Sequence, residues 1–454
     1  MKKLTVLLMM LAAGCATTSP VLEPQVSAPP AWSEASTADA LAVSADWWQR
    51  FGSAELQALV DDALAGSPDL AIAVERVRQA EAQMRIAGAS LFPQVDVGAS
   101  TSARASRNDG ATARTEGSSA ILSASYEFDL WGRNAASLRG AQAGLRATVF
   151  DRDSARLTLI AGVANAYFEI LSLRGRVSSS RENLAIAERV LALVQIRARN
   201  GAVSPLDVAR QEAAVLSQRA ALLPLEQQER QTLAALAVLV GRVPEGFDVQ
   251  AQGLADLAVP SVSPSLPADL LVRRPDLAAA EAQLVAANAD LAAARAALLP
   301  SIQLTGSAGV ASTALLGVVS GSTLTAALAA SVLQPIFDGG RLKGQISIAE
   351  SRERELAEGY RKTILSAFAD VESALAAATR LQQREILQTQ VEERAREALR
   401  LAEVRYREGA DDLLSVLDAQ RTLFDAQDGL ALVRLDRLDA AVALFKALGG
   451  GWQT

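Results

Sequence analysis

The 454-residue chain has no histidine and a single cysteine. Without imidazole, a Ser-His-Asp triad and histidine acid–base catalysis are out of reach. Zinc sites lose their usual ligands, and one thiol forms no disulfide within the chain. No phosphate-cradling loop of the GxxxxGK type occurs. Aromatic residues make up only 4%, few for the belts of a membrane barrel. Net charge is −7 and falls to −9 if Lys2 and Lys3 leave with a signal segment, which disfavours nucleic acid. Beyond residue 15 there is no run of about eighteen apolar residues, so no transmembrane helix is expected. These absences disfavour an enzyme, predict no metal or other cofactor, and leave only strands of a closed barrel to cross a bilayer.

The beginning of the chain carries an address. Met1-Lys2-Lys3 is a short basic segment, Leu4 to Leu11 is apolar, and Leu11-Ala12-Ala13-Gly14-Cys15 ends on small residues. The pattern resembles the acylation signal of bacterial lipoproteins, which predicts removal of residues 1–14 and a lipid on Cys15. The alternative is an ordinary secretory signal cut elsewhere, with Cys15 as a small buried residue. Ala16 follows the cysteine; lipoproteins kept at the inner membrane usually carry Asp there. The expectation is a chain anchored at the outer membrane of a Gram-negative cell. Residues 15–46, with Pro20, Pro24, Pro29 and Pro30, read as an extended tether. Residues 47–66 open ordered structure with Trp47-Trp48 and helically spaced Leu56, Leu59, Val60 and Leu64.

The remainder is a duplication. Residues 67–241 recur as 274–449, joined by a linker, 242–273, and followed by a tail, 450–454. Ser-Pro-Asp-Leu at 67–70 returns as Arg-Pro-Asp-Leu at 274–277, and Pro68 to Pro93 and Pro275 to Pro300 both span 25 residues. Phe128-Asp129 matches Phe337-Asp338, and Gly201 to Gly241 and Gly409 to Gly449 both span 40. This period is too long for a solenoid; two copies stacked around an axis suit a tube better than a cleft.

Each copy predicts the same plan. A helix runs from about Pro68 to Ser90, or Pro275 to Leu298, and proline stops it. The period then changes to two. Val95, Val97 and Ala99 are answered by Leu122, Ala124, Tyr126 and Phe128; Ile302, Leu304, Gly306 and Ala308 by Leu324, Ala326, Leu328, Ala330 and Val332. Turn-rich stretches at 106–110 and 317–322 separate strands of roughly ten residues. A soluble hairpin packed on helices has the same alternation. Four such strands cannot close a barrel, because about eight are needed, so a membrane role requires several chains. Proline-free stretches follow, Ala141 to Asn200 and Arg341 to Glu408, the second about 100 Å long as one helix, then turns at Gly201 and Gly409 and returning helices in which Pro224 predicts a kink or break. Periodicity leaves a solvated coiled-coil stalk and the wall of a hollow helical cylinder equally open.

Trp47-Trp48 through Leu70, Leu271-Val272-Arg273-Arg274-Pro275-Asp276-Leu277, and Gly409 through Leu417-Asp418-Ala419-Gln420 resemble the TolC-type outer-membrane efflux protein family, in its NodT-like lipoprotein branch. The likeness extends over the whole mature chain. It implies an α+β, mainly α fold in which duplicated helical hairpins build a periplasmic α-barrel. Two β-hairpins per chain join a twelve-stranded outer-membrane barrel made by a homotrimer. The implied function is passive conduction of drugs or other small molecules, with a periplasmic adaptor and an inner-membrane RND-type transporter as partners. A duct for type I protein secretion is the runner-up, and a pore-less lipid-anchored coiled-coil spacer the reading from another class. By register with the family, Asp207 and Tyr406 fall at contacts between the hairpin tips, and Asp418 at a pore-lining carboxylate. Ser415 and Asp411 stand where some relatives carry Asp and Arg, with Asp412 adjacent as a replacement charge. Gly201 and Gly409 are tip turns. For Asp207, Asp411 and Asp412, helix capping is the plainer role. For Tyr406 it is helix packing, and for Asp418 an ordinary solvated face.

The anchor is testable directly. Cys15→Ser is expected to abolish incorporation of labelled fatty acid; equal labelling of variant and parent would sink that reading.

Overall fold

The computed structural model describes residues 20–22, 26–33, 43–108, 111–260, 267–314 and 322–452. Cys15 lies outside them. A 3-10 turn, Trp47–Phe51, precedes α1 (Ala54–Gly66) and α2 (Pro68–Ala89). Strands β1 (Gln94–Asn108) and β2 (Ala111–Phe128) lead to α3 (Arg133–Arg199) and α4 (Pro205–Leu239). After the short α5 (Pro267–Leu270) the plan recurs as α6 (Pro275–Ala296), β3 (Ser301–Ser312), β4 (Thr323–Leu333), α7 (Arg341–Arg407) and α8 (Leu413–Ala447). The duplication is exact in helix length: α2 and α6 have 22 residues each, α3 and α7 have 67, and α4 and α8 have 35. Two compact units form, one built on Arg76–Val149 and Ala279–Lys362, the other on Val26–Glu75, Phe150–Ala278 and Thr363–Thr454. Each unit draws on both copies.

The first unit contains the strands, which form one antiparallel sheet in the order β1-β2-β3-β4. Its register turns four separate alternations into a single surface. Val95 pairs with Ala124, which pairs with Gly306, which pairs with Leu328. Val97, Leu122, Ala308 and Ala326 form the next row, and Tyr126, Leu304 and Ala330 another. Paired residues share a face, so this face is apolar across all four strands. The opposite face carries Asp96, Ser123, Ser307 and Ala327 in one row and Ser125, Thr305 and Ala329 in another. The apolar face is bare: Val97 is 81% exposed and Leu328 78%. Rings gather at one end of it, where Tyr126 meets Phe128 edge-on at 6.4 Å, near exposed Phe92 and Phe337 in the flanking segments. The strands of the first hairpin exceed the expected ten residues. Ser106, Arg107 and Asn108 read as turn but pair with Ala113, Thr112 and Ala111, because a two-stranded ladder satisfies the backbone whatever its side chains. Beyond Ser118, which pairs with Ser312, this polar ribbon projects past β3.

The Phe-Asp landmarks are helix starts. Asp129 accepts the Asn134 and Ala135 amides at 3.0 and 2.8 Å, and Asp338 accepts those of Gly340 and Leu342 at 3.0 and 2.9 Å. Each carboxylate thereby caps a 67-residue helix at the positive end of its dipole. An apolar stretch of α3 is long enough to cross a membrane, but 61% of it is buried within the protein. Leu159, Ile160, Val163, Ala164 and Phe168 pack there as core. Pro224 does not interrupt α4, which is helical throughout. Pro224 and Ala220 are both exposed, so water can solvate the carbonyl freed by the missing N–H.

In the second unit, Trp47 stacks on Phe445 at 5.0 Å and Phe51 lies against Phe168 at 4.9 Å. Arg174, 9% exposed, ties the linker down through Asp248, Glu229 and the carbonyls of Val249 and Ala251. Arg274 of the Arg-Pro-Asp-Leu segment donates to Asp276 at 2.7 Å, to Asp370 at 3.2 Å and to the Ala447 carbonyl at 3.2 Å. Both returning helices end in the same contact. A Cβ on Gly241 would lie 2.1 Å from the Gly66 carbonyl oxygen, and one on Gly449 1.9 Å from that of Arg273. Both glycines also have positive φ, 73° and 85°, so the terminal turn closes only on a residue without a side chain.

Gly246 has the same φ as Gly241 but open space around it. Thermal unfolding is expected to register about 1 kcal/mol for Gly246→Ala, from left-handed strain alone, and about 3 kcal/mol or more for Gly241→Ala, where the backbone must also move. Equal losses would remove the close approach as the reason for glycine.

Candidate functional site

Apart from Cys15, the predicted site residues lie in the second unit, where α3 turns into α4 and α7 into α8. Both turns are built alike. The Ala202 amide donates to the Arg197 carbonyl and the Ala410 amide to that of Arg405, each at 2.9 Å. Gly201 and Gly409 take φ of 72° and 78°, completing Schellman closures of α3 and α7.

The helices that start there are capped by the same two residue types in opposite order. In the first tip Ser204 is the N-cap: its hydroxyl accepts the Asp207 amide, while the Asp207 carboxylate accepts the Ser204 amide at 3.0 Å and its hydroxyl at 2.8 Å. In the second, Asp412 is the N-cap and accepts the Ser415 amide at 3.0 Å. The Ser415 hydroxyl donates to Asp411 at 2.9 Å and to Asp412 at 3.2 Å. A carboxylate that stands three residues into one helix thus stands at the cap of the other. Ser204 holds the Asp207 carboxyl below its ordinary range. Ser415, the Asp412 amide and Arg405 do the same for Asp411, with Arg405 Nε 3.1 Å from its carboxylate.

Tyr406 is 3% exposed and belongs to an apolar cluster with Val190, Val194, Leu399, Leu413 and Val416. Its hydroxyl has no hydrogen-bond partner among the described residues. Burial raises its pKa; Arg197 opposes and nearby Asp207 reinforces that shift. Asp207 and Tyr406 therefore lie within electrostatic reach, while the Asp207 carboxylate accepts hydrogen bonds within its own capping box. Asp418 sits on an exposed face of α8 and pairs with Arg421 at 2.8 Å, an ion pair worth under about 1 kcal/mol in water. It borders a groove with Leu414, Leu417, Ala214 and Ser217. Sequence reasoning passed over Arg197, whose guanidinium carbon stands 4.6 Å from the Tyr406 ring centroid. The available signal was an arginine four residues before each tip glycine, Arg197 and Arg405. Among the described residues no acidic, histidine or cysteine cluster is arranged to hold a metal.

The profile of the outer membrane efflux protein family matches the chain twice, over residues 59–242 and 266–450. The chain is 42% identical to the pyoverdine export outer membrane protein OpmQ of Pseudomonas aeruginosa, over 98% of this chain and 96% of that one. It is 35% identical to the probable efflux pump outer membrane protein TtgC of Pseudomonas putida, over 93% and 88%. Its fold superposes on the open state of the Neisseria gonorrhoeae MtrE outer membrane channel with a TM-score of 0.85 and 32% identity, covering 97% of this chain and 99% of that one.

Ser204→Ala is expected to cost the first tip about 1 kcal/mol, read as faster amide exchange at Asp207 and Val208. The depressed Asp207 carboxyl sets the pH dependence: its contribution is complete above the unfolded value near 3.8 and is lost as pH falls through the lower folded value. Exchange that is insensitive to both changes would remove the capping box from the account.

Proposed function

The chain belongs to the outer membrane efflux protein family, and from that membership we propose how its residues make a channel. It is the outer-membrane component of a tripartite efflux pump, and its role is transport across that membrane. The observation that carries the reading is the sheet, apolar on one face and polar on the other. From Ala120 to Phe128 and from Leu324 to Val332 the apolar face has the length of a tilted strand crossing hydrocarbon. Small polar residues on the other face suit a water-filled lumen. Three copies of a four-stranded sheet make a twelve-stranded barrel, and a homotrimer is the assembly we propose. Cys15 carries the lipid that holds each chain at the membrane.

Conduction is passive. An RND-type transporter in the inner membrane supplies the energy and a periplasmic adaptor joins it to this channel. The hairpin tips form the periplasmic mouth, where Asp207, Tyr406, Asp411, Asp412 and Asp418 narrow the path. Carboxylates repeated around a threefold axis repel anions and concentrate cations. Arg421, paired with Asp418, offsets that charge at its level.

A second reading concerns the cargo. Identity to the pyoverdine export protein OpmQ, 42%, exceeds that to the efflux protein TtgC, 35%, so we propose export of pyoverdine or a compound like it as the physiological task. A Pseudomonas aeruginosa strain lacking OpmQ and supplied with this chain is expected to secrete pyoverdine; retention in the periplasm with the chain present in the outer membrane would count against it.

Single-channel recording of the purified protein in a planar bilayer tests the channel itself. The parent is expected to conduct weakly, Asp207→Ala to conduct several times more, and Asp418→Ala to lose cation preference. A monomeric protein without conductance would overturn the reading.

A further inference from the structure

Arg197 and Arg405 hold the same place in the two copies, four residues before the tip glycine, yet they do different things. Arg405 stays within its own tip, donating to Asp411 at 3.1 Å and to the Ala410 carbonyl at 3.3 Å. In the first tip the position matching Asp411 is Val203, which offers no carboxylate. Arg197 turns to the other hairpin instead. Its Nη1 donates to the Tyr406 carbonyl at 2.5 Å and its guanidinium lies over the Tyr406 ring. That carbonyl also accepts the Gly409 amide at 3.1 Å, so the arginine is fastened to the closing turn of α7 itself. The ring is buried against Val190, Val194, Leu413 and Val416, and exclusion of water from its surroundings strengthens a cation–π contact. Its hydroxyl is not tied down by the described residues; the contacts that fix the ring act on its face and its backbone.

We propose that Arg197 is a positioning residue of the periplasmic mouth, clasping the end of α7 to the end of α3 through the ring and carbonyl of Tyr406. The clasp rests on the reading of these tips as the mouth. While it is made, the α7–α8 tip moves only together with the α3–α4 tip. When it is broken, the second tip is free to leave the narrowed arrangement.

The test uses the full-length purified protein in planar bilayers, with melting temperatures recorded beside conductance. Arg197→Ala and Arg197→Gln are expected to raise time-averaged conductance roughly tenfold, the scale of a desolvated cation–π contact. Arg197→Gln keeps a donor for the carbonyl without the charge over the ring, and it serves where the alanine variant fails to assemble. Arg197→Lys is expected to recover most of the parental value. Adding Arg197→Ala to Tyr406→Leu is expected to raise conductance much less than Arg197→Ala does in the parent, because only the contact with the backbone carbonyl is left for it to remove. If Asp207→Ala opens the channel while both Arg197 variants stay at the parental level, the clasp is overturned and the channel stands. Additive effects of the two substitutions would also overturn it. So would a rise confined to variants with lowered melting temperature that lysine does not reverse, since that is the behaviour of a packing residue. If neither parent nor any variant conducts, the channel reading fails as well.

Discussion

An open β-sheet in hydrocarbon leaves two rows of backbone donors and acceptors without partners, and each such group costs several kcal/mol. Much of this molecule follows from that constraint. Among the described residues its four strands form one sheet with β1 and β4 at the edges. Among the described residues the bare apolar face, with Val97 and Leu328 exposed on it, has no covering element in the second copy, because both hairpins belong to the same sheet. Lipid can cover that face, and further copies can satisfy the edges. A chain on its own leaves its barrel incomplete, which is why closure and assembly are one event in a structure of this type.

Duplication supplies two matching sets of parts, and the structure shows where the copies are held alike and where they have separated. Helix lengths are equal pair by pair, and the Phe-Asp caps, Schellman glycines and terminal close approaches recur. These positions answer to backbone geometry, which the two copies share. The tips have separated in charge. Ser204 and Asp207 exchange places with Asp412 and Ser415 while both pairs still satisfy a helix start. Either order supplies an oxygen for the free amides, so capping tolerates the exchange, whereas the position of the carboxylate relative to the turn does not stay the same. The two tips can therefore differ in where they place a carboxylate at little cost to either.

Much of the fold was legible before any coordinate. Prolines marked the ends of α2 and α6, period-two alternation marked the strands, and paired glycines marked both tips. The misreadings share one cause. Ser106 to Asn108 look like turn, and Pro224 looks like a break, because local composition is silent about whether a ladder partner or water is available to the backbone. The candidate site was half legible. Asp207, Asp411 and Asp412 stood at helix starts, where capping was foreseeable. The use of Arg197 was not, since its target, Tyr406, is 209 residues away in the chain and no short-range pattern joins them.

The sequence by itself determined the duplicated plan, the strand faces, the helix boundaries and, if the strands cross a bilayer, the need for more than one chain, because each rests on periodicity, on proline and glycine, or on counting. Tertiary structure alone decided that four alternations share one apolar face, since that depends on the pairing register between strands far apart in the chain. It also decided that two arginines in equivalent places have different partners. A side chain's partner is set by what the fold brings within a few ångströms of it, and the copies differ there by one residue, Val203 against Asp411.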